Sequence, residues 1–166
     1  MMARANPTIA LRPYLPADAS LVVEIFRASI ADLTGDDYSP RQQEAWASGA
    51  DDEEAFAVRL AKQLTLLGTI DGSPAGFAAL EGNERVDMLY VHPAAVGQGI
   101  GTMLIGALEK LAAARGASRL KADVSDTAQD FFTRRGFEAQ QRNTVRRGGE
   151  WLTNTTMEKK LAKEKV

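Results

Sequence analysis

Cysteine is absent from this chain. That removes disulfides, thiolate metal ligands and a cysteine nucleophile. Histidine occurs once, as His92. One imidazole argues against a histidine-built metal site, so no metal is expected. No apolar run approaches the about 18 residues of a membrane-spanning helix, and residues 1–7 lack the apolar core of a signal peptide. An excess of charge is also missing. The 20 Lys and Arg face 22 Asp and Glu, leaving a net charge of −2, which argues against a sequence-independent nucleic-acid binder. These absences make a cytoplasmic protein, with neither nucleic acid nor membrane as a partner, the expectation.

What is present is ordinary globular material. Hydrophobic residues make up 45% and charged residues 25% of 166 residues, enough for one domain with a sizeable core. There is no repeat, low-complexity tract or interdomain linker, so a single domain over 1–166 is expected, with a charged tail over 159–166 that frays.

Alternation over 9–12 predicts a first strand, and Pro13 and Pro16 bracket a turn. Asp18 is expected to cap a helix whose stripe is Leu21, Val22, Ile25, Phe26, Ser29, Ile30 and Leu33. Ser39-Pro40-Arg41-Gln42 has serine at the N-cap, proline at N1 and glutamine at N3, a capping box for a short helix that holds Trp46 and ends at Gly49. Asp51-Asp52-Glu53-Glu54 opens a third helix with acid in its first turn. Strands follow over 63–70, 75–80 and 85–91, the first two joined by the hairpin pair Asp71-Gly72. A long helix over 100–115 stops at Gly116. Then come a strand over 118–124, a short helix over 127–135, and a hairpin of 137–145 with 150–157. The order β-α-α-α-β-β-β-α-β-α-β-β implies a mixed sheet in an α+β or three-layer α/β domain.

The chain is organised around Val91-His92-Pro93-Ala94-Ala95-Val96-Gly97-Gln98-Gly99-Ile100-Gly101-Thr102, between a strand and a long helix. Glycine permits close backbone approach and positive φ, and the first helical turn offers N–H groups with no internal acceptor. The combination suits a phosphate or pyrophosphate. Gly97-x-Gly99-x-x-Thr102 approaches a dinucleotide fingerprint without its last glycine, with Asp123 about 20 residues on as the ribose acid. Hairpin strands precede the loop, however, and too little chain follows it for a nucleotide-binding Rossmann sheet. No Gly-Lys-Ser/Thr is present, which excludes a P-loop.

Leu89-Tyr90-Val91-His92-Pro93 followed by Gly99 and Gly101 resembles the acetyl-CoA-binding core of the GNAT (general-control-related) N-acetyltransferase superfamily, whose signature is Gln/Arg-x-x-Gly-x-Gly/Ala. Val96 replaces the usual Gln or Arg. Downstream, Ser125-x-x-Ala128-x-x-Phe131-Phe132-x-x-x-Gly136-Phe137 keeps the spacing of the family's Asn-x-x-Ala-x-x-Phe-Tyr-x-x-x-Gly-Phe, with serine for asparagine and phenylalanine for tyrosine. Tyr38-Ser39-Pro40-Arg41-Gln42 and the run from Arg147-Gly148 through Leu152, Asn154, Met157 and Lys159 look like those of a subgroup of the family.

The resemblance implies an α/β (α+β) fold: a mixed, mostly antiparallel sheet of about seven strands flanked by helices, with a V-shaped splay between the fourth and fifth strands. It implies direct attack of an amine, from a small molecule or peptide, on acetyl-CoA. The backbone of Leu89, Tyr90 and Val91 would pair with the pantetheine arm. An N–H near Leu89 or Tyr90 would stabilise the oxyanion, a contribution of ~3 kcal/mol. Val96, Gly97, Gln98, Gly99, Ile100, Gly101 and Thr102 would form the pyrophosphate loop. Arg134 or Arg135 could meet an outer phosphate, the plainer role for both being a solvated helix face. Phe131 is expected in the core and Phe132 against the pantetheine.

An alkylammonium has a pKa of about 10, so a base or a water-linked carboxylate helps to take its proton. Asp87 is the first candidate, because alternation places it on the face of Leu89 and Val91. The plainer role is a pair with Arg85 or a neighbour. Glu81 and Glu84 are weaker candidates, and His92 reads as a turn residue. Phe132 cannot supply a general acid, for which Ser125, Tyr38 or water could substitute. Phe26, Tyr38, Trp46 and Trp151 are the candidate acceptor-binding residues, with Asn143, Arg146 and Asn154 nearby. The clusters Asp36-Asp37 and 51–54 could attract a cationic amine or simply cap helices. Relatives are often dimers, so a homodimer is an expectation. The rival to an enzyme is a catalytically silent acyl-CoA-binding module.

Overall fold

In the computed structural model, which describes residues 6–162, seven strands form one sheet in the order β1-β2-β3-β4-β5-β7-β6. The strands are β1 (Ile9–Pro13), β2 (Leu64–Ile70), β3 (Ser73–Glu81), β4 (Arg85–Val91), β5 (Arg119–Ser125), β6 (Glu138–Arg147) and β7 (Glu150–Lys160). The helices are α1 (Ala19–Leu33), α2 (Pro40–Ala47), α3 (Glu53–Lys62), α4 (Ile100–Ala114) and α5 (Gln129–Arg134). Every neighbouring pair is antiparallel except β4 with β5. The element order and mixed sheet follow the sequence expectation.

One core layer lies between the sheet and α4, built on Ile100, Leu104, Leu108, Leu120 and Phe137. The other lies between the sheet and α1 and α3, built on Val22, Phe26, Phe56, Leu60 and Phe77. Each fully buried side chain of this size contributes about 1.5–3 kcal/mol.

Local signals act as their chemistry dictates. Ser39 Oγ accepts from Gln42 N at 3.2 Å, and Gln42 Oε1 accepts from Ser39 N at 2.9 Å, closing the capping box of α2. Asp52 caps α3 by accepting from Ala55 N at 3.0 Å. Asp71 and Gly72 both have positive φ, as a two-residue hairpin requires.

Three expectations change. Asp18 does not cap α1. Its carboxylate is bound by Arg12 at 2.8 Å and by Leu15 N at 2.8 Å, so it closes the turn before the helix instead. Gly49 lies inside a 3-10 turn that continues α2, not at a left-handed stop. The expected frayed tail is partly strand: Lys159 and Lys160 pair with Leu120 and Arg119. The remainder of that tail, 163–166, and most of residues 1–7 lie outside the described residues.

Candidate active site

β4 and β5 are hydrogen-bonded neighbours only at their starts, where Arg85 faces Lys121 and Val86 faces Ala122. Beyond that they part. Leu89, Tyr90 and Val91 pair with Ala78, Phe77 and Gly76 on the β3 side and, among the described residues, with no strand on the other. In an antiparallel ladder only alternate residues bond a given neighbour. The remaining N–H and C=O groups of this segment therefore face an open slot.

The slot opens into a cleft of about 750 Å³, lined on the α4 side by the β4 end, the glycine loop and α5, and reaching Ser29, Leu33, Thr34 and Trp46 past the slot. Gly97 and Gly99 have φ of +85° and +86°, and Gly99 is the left-handed N-cap of α4. The helical ladder begins with Met103 N bonding Gly99 O at 3.0 Å, so the N–H groups of Ile100, Gly101 and Thr102 have no intrahelical acceptor. A Cβ at Gly101 would sit 3.1 Å from the Phe131 ring. The glycine is what lets α4 and α5 approach. Arg135 lies over that ring at 3.7 Å, donates to Phe131 O and Thr102 Oγ1, and keeps its buried Nε without a partner. Arg134 also lines the cleft. Val96 and Gln98 are exposed at the rim.

The two phenylalanines exchange their expected places. Phe132 is the core residue, packed edge-on to Phe137 with centroids 5.0 Å apart. Phe131 is the ring beside the glycine loop. Both still line the cleft.

A second cavity, of about 510 Å³, lies on the opposite face of the sheet. Phe26, Tyr38, Trp46, Phe56 and Tyr90 give it an aromatic wall, to which Met88 adds an apolar contact. The two spaces share Trp46, Val86, Asp87, Met88, Tyr90, Asp123 and Ser125, so they meet where β4 and β5 diverge. Trp46 Nε1 donates to the Tyr90 hydroxyl at 3.1 Å. Burial pushes the Tyr90 phenol up to about 12, against the Trp46 hydrogen bond and Arg59, so it is protonated at neutral pH.

Asp87 does not share the face of Leu89 and Val91. Ala79 pairs with Met88 and Leu80 with Val86, which leaves Asp87 as the extra residue of a β-bulge. The bulge resets the alternation: Val86, Leu89 and Val91 join the α4-side core, whereas Met88 and Tyr90 join the other. Asp87 turns toward α3. Arg59 Nη2 and Nε donate to its two oxygens at 2.7 and 2.9 Å, and Gln63 Nε2 donates at 2.8 Å. Arg85 pairs instead with Asp123, at 2.7 Å. Burial works against ionisation of Asp123, but the Thr156 hydroxyl and Arg85 hold its carboxyl below the usual range.

Tyr38 lines the second cavity, but its hydroxyl is spoken for. It donates to Thr153 O at 2.6 Å and accepts from Asp126 N at 2.9 Å, and burial pushes the phenol up. Ser125 Oγ accepts from Ala128 N at 3.1 Å at the turn into α5. His92 is a turn residue, its Nδ1 accepting from Ala94 N at 3.1 Å. Trp151 does not reach the cavity. It is 55% exposed on the outer surface, under Arg146. Asn154 lines the cavity and accepts from Asn143 at 2.9 Å. The acid clusters serve helices and loops: Asp52 caps α3, Asp51 pairs with Arg27, and Asp37 accepts from Thr127.

Arg59, Gln63, Arg85 and Arg147 were not foreseen at the site. They arrive from α3 and its C-cap, β4 and the β6–β7 hairpin; Arg59 and Gln63 are one helical turn apart, but no local spacing connects them to Arg85 or Arg147. Asp123 was legible only as a nucleotide-binding acid.

A splayed parallel strand pair, a glycine loop at a helix N-terminus and a second cavity through the sheet define an acyltransferase-type site. Residues 34–161 match the model of the acetyltransferase (GNAT) domain. The chain is 33% identical over 149 residues to the uncharacterized N-acetyltransferase YafP of Escherichia coli K12, covering 90% of this chain and 94% of that one. A crystal structure from Rhodopseudomonas palustris, named as a GCN5-related N-acetyltransferase (and also as an Aminotransferase, Class-II), superposes with a TM-score of 0.91 at 60% identity. It covers 97% of this chain and 99% of that chain. The PaiA N-acetyltransferase of Thermoplasma acidophilum, solved in complex with coenzyme A, shares the fold with a TM-score of 0.76 at 22% identity, covering 92% and 99%. This chain belongs to the GNAT family and is an N-acetyltransferase.

Proposed function

We propose that the protein transfers an acetyl group from acetyl-CoA to the primary amine of a small molecule or peptide by direct attack. One observation carries this reading: the two cavities share Asp87 and Tyr90 of β4 and Asp123 and Ser125 of β5, so they meet where these strands part, and Tyr90 belongs to the segment of β4 that β5 leaves unpaired. A donor on one face of the sheet and an amine on the other would meet there.

The α4-side cleft suits the donor. The N–H groups of the glycine loop and first turn of α4 would receive its pyrophosphate, and the unpartnered Nε of Arg135 points to an anion nearby. The free edge of β4 would take the pantetheine amides as an added strand does. An N–H of Leu89 or Tyr90 would stabilise the oxyanion. Acetyl-CoA supplies an activated thioester whose thiol, of pKa ~8.5, leaves readily, so a protein acid at position 132 is not obligatory.

Two carboxylates flank the meeting point, Asp87 from β4 and Asp123 from β5. Asp87 remains the base we favour, acting directly or through water, with Arg59 and Gln63 as positioning residues. The domain works in the cytoplasm in this reading. No helix among the described residues is long and apolar enough to cross a membrane. A homodimer remains a proposal from the habit of relatives.

The test is release of free CoA from acetyl-CoA with a panel of primary amines, with the acetylated product identified by mass. Transfer to an amine is the expected result. Tight acetyl-CoA binding with no transfer to any amine would leave the silent module.

A further inference from the structure

The charges of the 510 Å³ cavity do not cancel. Its wall carries three arginines, Arg59, Arg85 and Arg147, against two aspartates, Asp87 and Asp123. Arg59 is held by Asp87 and Arg85 by Asp123, each at 2.7 Å. Arg147 has no ion pair and no side-chain hydrogen bond among the described residues. Arg147 lines this cavity and is itself exposed, so an anion entering the cavity can reach its guanidinium.

The hairpin that carries Arg147 is fixed. Gly148 and Gly149 have φ of +51° and +85° and make a two-residue turn. A Cβ at Gly148 would stand 3.2 Å from Ala45 and from Ser48 Oγ, so the hairpin tip is seated on the C-terminal end of α2. That seat brings the last residue of β6 to the cavity wall.

A simple alkylammonium would enter this space against a surplus positive charge. An acceptor that also carries an anion would cancel that charge. Arg presents a planar fork of donors that matches a carboxylate. The aromatic wall of Phe26, Trp46, Phe56 and Tyr90 supplies area for an apolar side chain on such an acceptor. We infer that the acceptor is an amino-carboxylate with an apolar body, its carboxylate received by Arg147 and its amine directed to the Asp87–Asp123 junction. This inference rests on the acetyl-transfer reading above. The shared chemistry is an amine and a carboxylate, whether on a free amino acid or at the two ends of a short peptide.

The experiment uses matched acceptors on the full chain: phenylalanine with phenylalaninamide, and a Phe-terminated tripeptide with its C-terminal amide. Each is assayed by CoA release with wild type, Arg147→Gln and Arg147→Lys. In wild type, the carboxylate form of at least one pair should have a kcat/KM about tenfold or more above its amide. Arg147→Gln should bring that ratio close to one, and Arg147→Lys should keep part of it. The pair that shows the preference separates the free amino acid from the peptide. Thermal unfolding of each variant confirms that the hairpin is intact. Equal use of acid and amide forms by wild type, or a preference that survives Arg147→Gln, overturns the inference while acetyl transfer stands. No transfer to any amine in the presence of bound acetyl-CoA overturns both.

Discussion

Arg59 grips both carboxylate oxygens of Asp87, at 2.7 and 2.9 Å, from α3. The pair exists because a bulge at Asp87 turns that side chain away from Leu89 and onto α3. It places a fixed, hydrogen-bonded carboxylate beside the cavity in which an amine would wait. Asp87→Asn retains shape and removes the charge. Its kcat at neutral pH should fall about 100-fold, the lower range for general acid–base catalysis, with the KM for acetyl-CoA nearly unchanged. The measurement is kcat from pH 6 to 9 for both proteins. A profile unchanged by the substitution removes Asp87 from the chemistry.

Tyr90 gives a prediction about alkaline stability. Its phenol is pushed up to about 12 by burial, from an ordinary value of 10.0. Above pH 10 the unfolded chain loses this proton while the folded chain keeps it, so the unfolded state binds fewer protons and stability falls with rising pH. The contribution is fully present below pH 10 and is lost as pH rises to about 12. A shift of two units corresponds to about 2–3 kcal/mol. Tyr38 is raised in the same sense, so the comparison must be with Tyr90→Phe. Urea unfolding at pH 9, 10 and 11 should show a shallower alkaline loss in the variant. Parallel curves would mean that Tyr90 ionises as freely folded as unfolded.

The donor half of the molecule was legible because its signals are local. A strand, three glycines and an amphipathic helix lie in consecutive residues, and the capping box at Ser39 and the turn at Asp71-Gly72 each act within four residues. The acceptor half was not, because its geometry is made by tertiary contacts. Strict alternation places Asp87 with Leu89, and nothing in Arg85-Val86-Asp87-Met88 announces the bulge that reverses it. Phe131 and Phe132 are adjacent residues of one type, so spacing could not decide which faces the loop. Trp151 sits opposite Arg146 on the outward face of a two-stranded hairpin, a side that depends on how that hairpin docks on α2. Arg59, Arg85 and Arg147 become neighbours of one cavity only when α3, β4 and β6 assemble.

Gly101 and Phe131 should behave as a coupled pair. The added methyl of Gly101→Ala would meet two ring atoms at 3.1 Å, so the ring must shift or α5 must move from α4. Overpacking of this kind costs about 1–3 kcal/mol and should raise the KM for acetyl-CoA about tenfold by disturbing the loop. Phe131→Leu in the same chain makes room for the methyl. The double variant should therefore recover part of both losses, giving a nonadditive cycle in thermal stability and KM. Strict additivity would show that the contact does not limit position 101.

Tyr38 separates a structural hydroxyl from a chemical one. Its oxygen ties the α1–α2 loop to β7 through Thr153 O and to the β5–α5 turn through Asp126 N. Tyr38→Phe leaves a carbonyl and an N–H without their partner, a loss of about 1–3 kcal/mol. For a chain of this size that lowers Tm by about 2–4 °C per kcal/mol. The hydroxyl proton is already committed to Thr153 O, so it is poorly placed to reach a departing thiolate. Below its Tm, the variant should keep kcat within about threefold of wild type and lose stability instead. A folded Tyr38→Phe protein with wild-type Tm and a kcat reduced about 100-fold would reverse the assignment and make Tyr38 the general acid that Phe132 cannot be.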